Sequence, residues 1–164
     1  MRLLIIRHAD AGDRDEFAAT GRPDSERPLS PRGTDQMRNA LASLKVLVPD
    51  LDQVITSHYA RARQTAELVR RAYRAGPLRE TDTLEPEAHP RAFVQYLIDV
   101  PGDVIACVGH EPHLSELLAW LTVGQRAGYA DLKKGGACLL KFSGPARKGR
   151  GRLRWLLGPN ELAK

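Results

Sequence analysis

The chain has 164 residues, 42% of them hydrophobic and 27% charged, with a net charge of +5 and a sequence pI of about 9.5. That size suits a single domain over residues 1–164 with one continuous core. Its longest apolar runs are too short for a membrane span, and it lacks the pattern of a signal peptide, so a cytoplasmic monomer with no membrane partner is expected.

The first element, Leu3–Ile6, is a continuous apolar run that reads as a buried strand. Residues 10–29 are polar and rich in Gly, Pro and Asp, and read as a long loop of the kind that is usually functional or mobile. Ser30 followed by Pro31 then opens a helix whose core stripe is Met37, Leu41, Leu44 and Val48. A short strand at 53–57 and a helix at 60–74 follow, with Ala62, Thr65, Ala66, Val69 and Tyr73 on the apolar face of that helix. Residues 78–84 read as a third strand and 89–100 as a helix packed through Phe93, Val94, Leu97 and Ile98. The run 103–109 is a clear buried strand, and Pro112 begins a helix with Leu114, Leu117, Leu118 and Leu121 on one face. Segments 135–142 and 151–157 end the chain as an antiparallel pair.

Strands alternating with helices imply an α/β fold of three layers, α/β/α. The central sheet is expected to be mainly parallel, of about six strands with one strand antiparallel. Cys107 and Cys138 sit in apolar runs without CxxC spacing, so they read as buried free thiols in a reducing compartment. Much of the positive charge falls late, in KFSGPARKGRGRLRW, where Arg150, Arg152 and Arg154 alternate with Gly151, Leu153 and Trp155. The plain reading is a solvated strand face. With no zinc-finger or aromatic-rich motif, nucleic acid as a partner rests on charge alone and is not expected.

In parallel α/β sheets, ligands bind beyond the carboxyl ends of the strands. Arg7 and His8 follow the first strand, Ser57, His58 and Arg61 the second, and His110 the fourth. One such residue is ordinarily structural, but three segments delivering histidines and arginines to one rim suit a phosphate site. Arginine forks match phosphate oxygens and keep their charge. A metal site fits less well: His110 and His113 flank Pro112, no acidic ligands accompany them, and the arginines would repel a cation. No metal or cofactor is therefore expected. G-x-S-x-G, P-loop and G-x-G-x-x-G motifs are also missing from the sequence.

Taken in order, RH after the first strand, RPLSPRG, SHYARARQT and VGHEP resemble the histidine phosphatase superfamily, with its phosphoglycerate-mutase-like fold. The short length and the RPLS block are most similar to its SixA-like branch of phosphohistidine phosphatases. That resemblance implies His8 as nucleophile, through a phosphohistidine intermediate. It implies Arg7, Arg61 and His110 as catalytic groups around the phosphoryl, and Arg27 as a further phosphate-binding residue. Ala9 stands where the family usually has glycine. A general acid would come from Glu85, Glu87 or Asp10, none of which falls in an alignable pattern.

The resemblance thus implies a metal-independent phosphatase acting on phosphohistidine in a protein, since no inserted cap is visible and an open pocket suits a phosphoprotein. The alternatives are a small-molecule phosphomonoesterase of the same fold and a non-catalytic phosphate-binding module.

Overall fold

Leu3–Ile6 forms the middle of strand β1 (Arg2–Arg7), and all four side chains are fully buried. The run is continuous rather than alternating because both faces of the sheet are covered. Leu4 and Ile6 enter one core cluster, Leu3 and Ile5 the other, following the two-residue period of a strand. Burying each such side chain contributes roughly 1.5–3 kcal/mol.

The computed structural model describes residues 1–164. After β1 come α1 (Arg14–Ala18), α2 (Pro31–Leu47), β2 (Gln53–Thr56), α3 (Ala60–Tyr73), β3 (Arg79–Glu80) and α4 (Pro90–Leu97). The chain ends with β4 (Val104–Gly109), α5 (His113–Thr122), β5 (Ala137–Lys141), β6 (Arg152–Leu157) and α6 (Pro159–Leu162). The six strands are ordered β3-β2-β4-β1-β5-β6. β1, β2, β3 and β4 pair in parallel, whereas β5 runs antiparallel to both β1 and β6. The expected three-layer α/β/α fold, with one antiparallel strand in a mainly parallel sheet, is the one observed. Residues of α2, α3 and α6 supply one core face, and those of α4 and α5 the other. No helix is long and apolar enough to cross a membrane.

Helix α2 starts where its sequence signal lies: Ser30 Oγ accepts from the Gly33 amide at 2.9 Å, with Pro31 in the first turn. Gly33 is needed there, because a Cβ would collide with the backbone carbonyl of Asp10. That close approach ties the segment after β1 to the helix, through Ser30 N donating to Asp10 O at 3.0 Å.

Several elements differ from expectation. The loop 10–29 contains α1, capped by Asp13, and a 3-10 turn at Asp24–Glu26. Neither buries a side chain, so neither carries apolar periodicity. The third strand shrinks to Arg79–Glu80, because Thr81 caps a second 3-10 turn at Asp82–Leu84. α4 ends at Leu97 rather than 100, and α6 was not foreseen. Cys107 and Cys138 are buried and free, with their thiols pushed up by burial, that of Cys138 to about 12.

Candidate active site

The sheet register brings the site together. Arg7 on β1 lies opposite Gly109 on β4, so His8 and His110 leave adjacent strands side by side, and the His8 amide donates to Gly109 O at 3.1 Å. Thr56 pairs with Val108 in the same way, which puts Ser57 at the same edge. The His8 and His110 ring centroids are 5.0 Å apart.

His8 Nδ1 is 2.7 Å from the carbonyl of Ala9. A carbonyl only accepts, so Nδ1 carries the proton and Nε2 keeps its lone pair. Arg61 Nε donates to that Nε2 at 3.3 Å, which requires the same tautomer. The ring is buried, and burial, followed by the charges of Arg61, Arg7 and Lys134, outweighs the Ala9 hydrogen bond and lowers its pKa to about 3. His8 is therefore neutral at physiological pH, its Nε2 unprotonated and accepting from Arg61 in a cationic pocket.

His110 is neutral for a similar reason: burial, then His8 and Arg61, lowers it to about 2. Its Nε2 lies 2.6 Å from Ser57 Oγ, while its buried Nδ1 has no partner. Ser57 Oγ also accepts from the Tyr59 amide at 3.2 Å. If the Ser57 hydroxyl donates to Nε2, the remaining proton of His110 sits on the buried, unpartnered Nδ1.

Arg7, Arg27 and Arg61 line a pocket of about 340 Å³ with His8 and His110; Arg14 and Lys134 add charge, against Asp24, Glu87 and Glu111. Arg7 Nη1 is anchored on Leu132 O at 2.8 Å, and its buried Nε is unpartnered. Arg27 donates through Nη1 to Ala11 O and Gly12 O, both at 3.1 Å. Asp24 joins two of the arginines, accepting from Arg27 Nε at 2.8 Å and Arg61 Nη2 at 3.0 Å. Burial works against the Asp24 charge, but these arginine contacts outweigh it and hold its carboxyl below the usual range.

The three acid candidates separate. Glu87 lines the pocket. Glu85 lies outside it, 3.5 Å from the exposed His58. Asp10 also lies outside it: its carboxylate accepts from Ser30 Oγ at 2.7 Å and from the Gly12 amide at 3.3 Å. The Ser30 bond keeps it below the ordinary carboxylate value, so Asp10 shapes the loop.

Ala9 is fully buried in the core, its amide donating to Thr65 Oγ1 at 3.1 Å. Arg74 is the one non-glycine residue with positive φ, so position 9 makes no demand for glycine on its backbone.

Asp24, Tyr59, Glu111 and Lys134 were not foreseen, and Ser57 was noted only as a strand end. The spacing of Asp24 three residues before Arg27 was the available signal for the first. Lys134 belongs to a stretch without regular structure and had none.

A family model for the histidine phosphatase superfamily, branch 1, matches residues 3–89. The chain belongs to the histidine phosphatase superfamily. It is 32% identical over 150 residues to an uncharacterized protein of Picosynechococcus sp., covering 90% of this chain and 88% of that one. It is 29% identical over 132 residues to the phosphohistidine phosphatase SixA of Escherichia coli, covering 76% of each. A solved structure of the protein histidine phosphatase SixA complexed with tungstate superposes with a TM-score of 0.83 at 24% identity, over 99% of each chain. That likeness establishes the fold, which is the phosphoglycerate-mutase-like fold of SixA. A histidine phosphatase is accordingly a phosphoric hydrolase, and the strand-edge pocket is where this chain carries the residue types for that chemistry.

Proposed function

We propose that this histidine phosphatase removes the phosphoryl group from phosphohistidine in a protein, using His8 as nucleophile. The observation that carries the reading is the His8 tautomer: Ala9 O holds the proton on Nδ1, so the lone pair is on Nε2, where Arg61 Nε donates to it. An unprotonated ring nitrogen is the form a nucleophile needs.

In the first step His8 Nε2 attacks phosphorus and the bond from phosphorus to the leaving nitrogen breaks. The phosphoryl passes to Nε2, and the substrate imidazole leaves as its neutral form, having taken a proton from solvent on its other nitrogen. Water then attacks the phosphohistidine, releasing inorganic phosphate and the lone pair of Nε2. Charge on the three phosphoryl oxygens is met by Arg7, Arg27 and Arg61 and by a proton on His110 Nδ1. The three arginines take the part that a metal would otherwise play. Buried free thiols at Cys107 and Cys138 support work in the cytoplasm, and we assign the catalytic unit to one chain.

A phosphomonoesterase of small molecules is the second reading, favoured by Glu87, which offers the pocket an acid for an ester oxygen. Turnover of a phosphohistidine protein against a panel of sugar, nucleotide and amino-acid phosphates tests the choice. The proposal expects the highest kcat/KM for the phosphoprotein; a clear preference for small esters would overturn it.

A further inference from the structure

The positive balance of the chain has one source. Residues 132–160 hold eight lysines and arginines and no acid, while the other 17 cations face all 20 aspartates and glutamates. Six of the eight lie between Lys141 and Arg154, on and around the hairpin that joins β5 to β6. Arg147, Lys148, Arg150, Arg152 and Arg154 are all exposed, and none forms an ion pair.

Three of them converge. Arg147, Arg150 and Arg152 line a groove of about 650 Å³ together with Gly144, Gly149 and Gly151, with Phe142 as its single hydrophobic lining residue. The hairpin is fastened to the end of α5: Gly149 N donates to Trp120 O at 3.0 Å and Gly151 N to Leu121 O at 2.8 Å. Lys148 Nζ sits 4.2 Å over the Trp120 ring. At position 151 a Cβ would meet the Phe142 ring at 3.0 Å and Leu121 O at 3.1 Å, so glycine is what lets the hairpin lie this close. The backbone that carries these cations is thus fastened to α5.

A charged sheet edge is a familiar defence against strand pairing. That accounts for Arg152 and Arg154 on β6, but not for Arg147 and Arg150 in the loop or for their meeting around a hollow. Nor is the groove an extension of the catalytic pocket. β5 runs from Ala137, opposite Ile6, to Lys141, opposite Arg2, so the hairpin lies at the other end of the sheet.

Charge alone gave no reason to expect a nucleic-acid partner, but with three cations lining one groove we propose that it binds the phosphodiester backbone of nucleic acid. Arginine forks match phosphate oxygens, and the glycines let a backbone approach. A protein partner would call for an apolar centre, and a membrane for a flatter surface with residues to insert; the groove has neither. Phe142 is itself buried, so bases do not stack on it, and binding is independent of sequence and sugar.

Fluorescence anisotropy with oligo(U) and oligo(dT) of about 20 nucleotides, beginning at about 50 mM salt, tests this. The wild type is expected to bind both alike, its affinity falling with salt at a logarithmic slope of about −2 from three phosphate contacts. Combined Arg147→Gln, Arg150→Gln and Arg152→Gln should weaken binding at least tenfold and leave phosphatase turnover unchanged. A control with the same charge loss at the exposed Arg38, Arg79 and Arg91 should lose less than threefold. No binding by the wild type, equal losses in both variants, or tighter capture by poly-glutamate or anionic vesicles would overturn the proposal.

Discussion

Asp24 Oδ2 accepts a hydrogen bond from Arg61 Nη2 at 3.0 Å, and Arg61 in turn donates from Nε to His8 Nε2 at 3.3 Å. One carboxylate on a loop thereby orients a buried arginine against the proposed nucleophile. Through its other oxygen it also holds Arg27. Removing it would make the pocket more positive but leave its arginines badly placed, and placement decides phosphoryl transfer. Asp24→Asn should lower kcat/KM about tenfold to a hundredfold. A faster variant would mean that Asp24 instead competes with substrate for the arginines.

Ser57 acts on the second histidine. Its Oγ lies 2.6 Å from His110 Nε2, and if the hydroxyl donates there the proton of His110 is kept on Nδ1, the nitrogen without a partner. Ser57→Ala should reduce kcat roughly tenfold with little change in KM, and Ser57→Thr should restore part of the loss. Equal effects on kcat and stability, with no rescue by threonine, would assign Ser57 a purely structural role.

The acidic residues make a graded set. Glu87→Gln should slow an alkyl phosphate ester by roughly a hundredfold or more, since that leaving oxygen needs a proton. It should slow a phosphohistidine substrate much less, because imidazole can take a proton on its distal nitrogen. Glu85→Gln should leave both rates alone. Asp10→Asn should act on stability, by about 0.5–2 kcal/mol in denaturant unfolding, through the lost loop and helix-start contacts.

Burial sets the pH response. His8, His110 and His113 have folded pKa values lowered to about 3, about 2 and about 4, against about 6.5 in an unfolded chain. Below pH 6.5 the unfolded state binds protons that the native state refuses, so stability falls as pH drops. Each histidine adds a slope of up to about 1.4 kcal/mol per unit, ending at its own folded pKa. His113 has both ring nitrogens buried without partners, so His113→Leu should flatten the dependence between pH 6.5 and 4 while catalysis persists. A pH dependence unchanged in that variant would contradict the assignment.

Much of this was legible in the sequence because strand ends and ligand-binding edges coincide in α/β sheets. Leu3–Ile6 marked a strand buried on both faces, and Arg7, His8 and His110 followed from where β1 and β4 stop. The RPLSPRG block announced a capped helix, and its glycine proved to be where the loop at Asp10 packs against α2. What escaped was set by tertiary contact rather than by period. Asp24 sits on a turn that buries nothing, and Lys134 reaches the pocket from a segment with no regular structure. The three acids looked alike in sequence because only the path of the chain puts Glu87 in the pocket and Glu85 beyond it.

The central claim is that His8 Nε2 becomes phosphorylated. Rapid quenching of the enzyme with a ³²P-labelled phosphohistidine substrate, followed by chemical stability of the bound label, tests it directly. The account requires acid-labile, base-stable phosphate on the wild type and none on His8→Ala, which should also be inactive. Hydrolysis by His8→Ala at the wild-type rate, or label of acid-stable character, would contradict it.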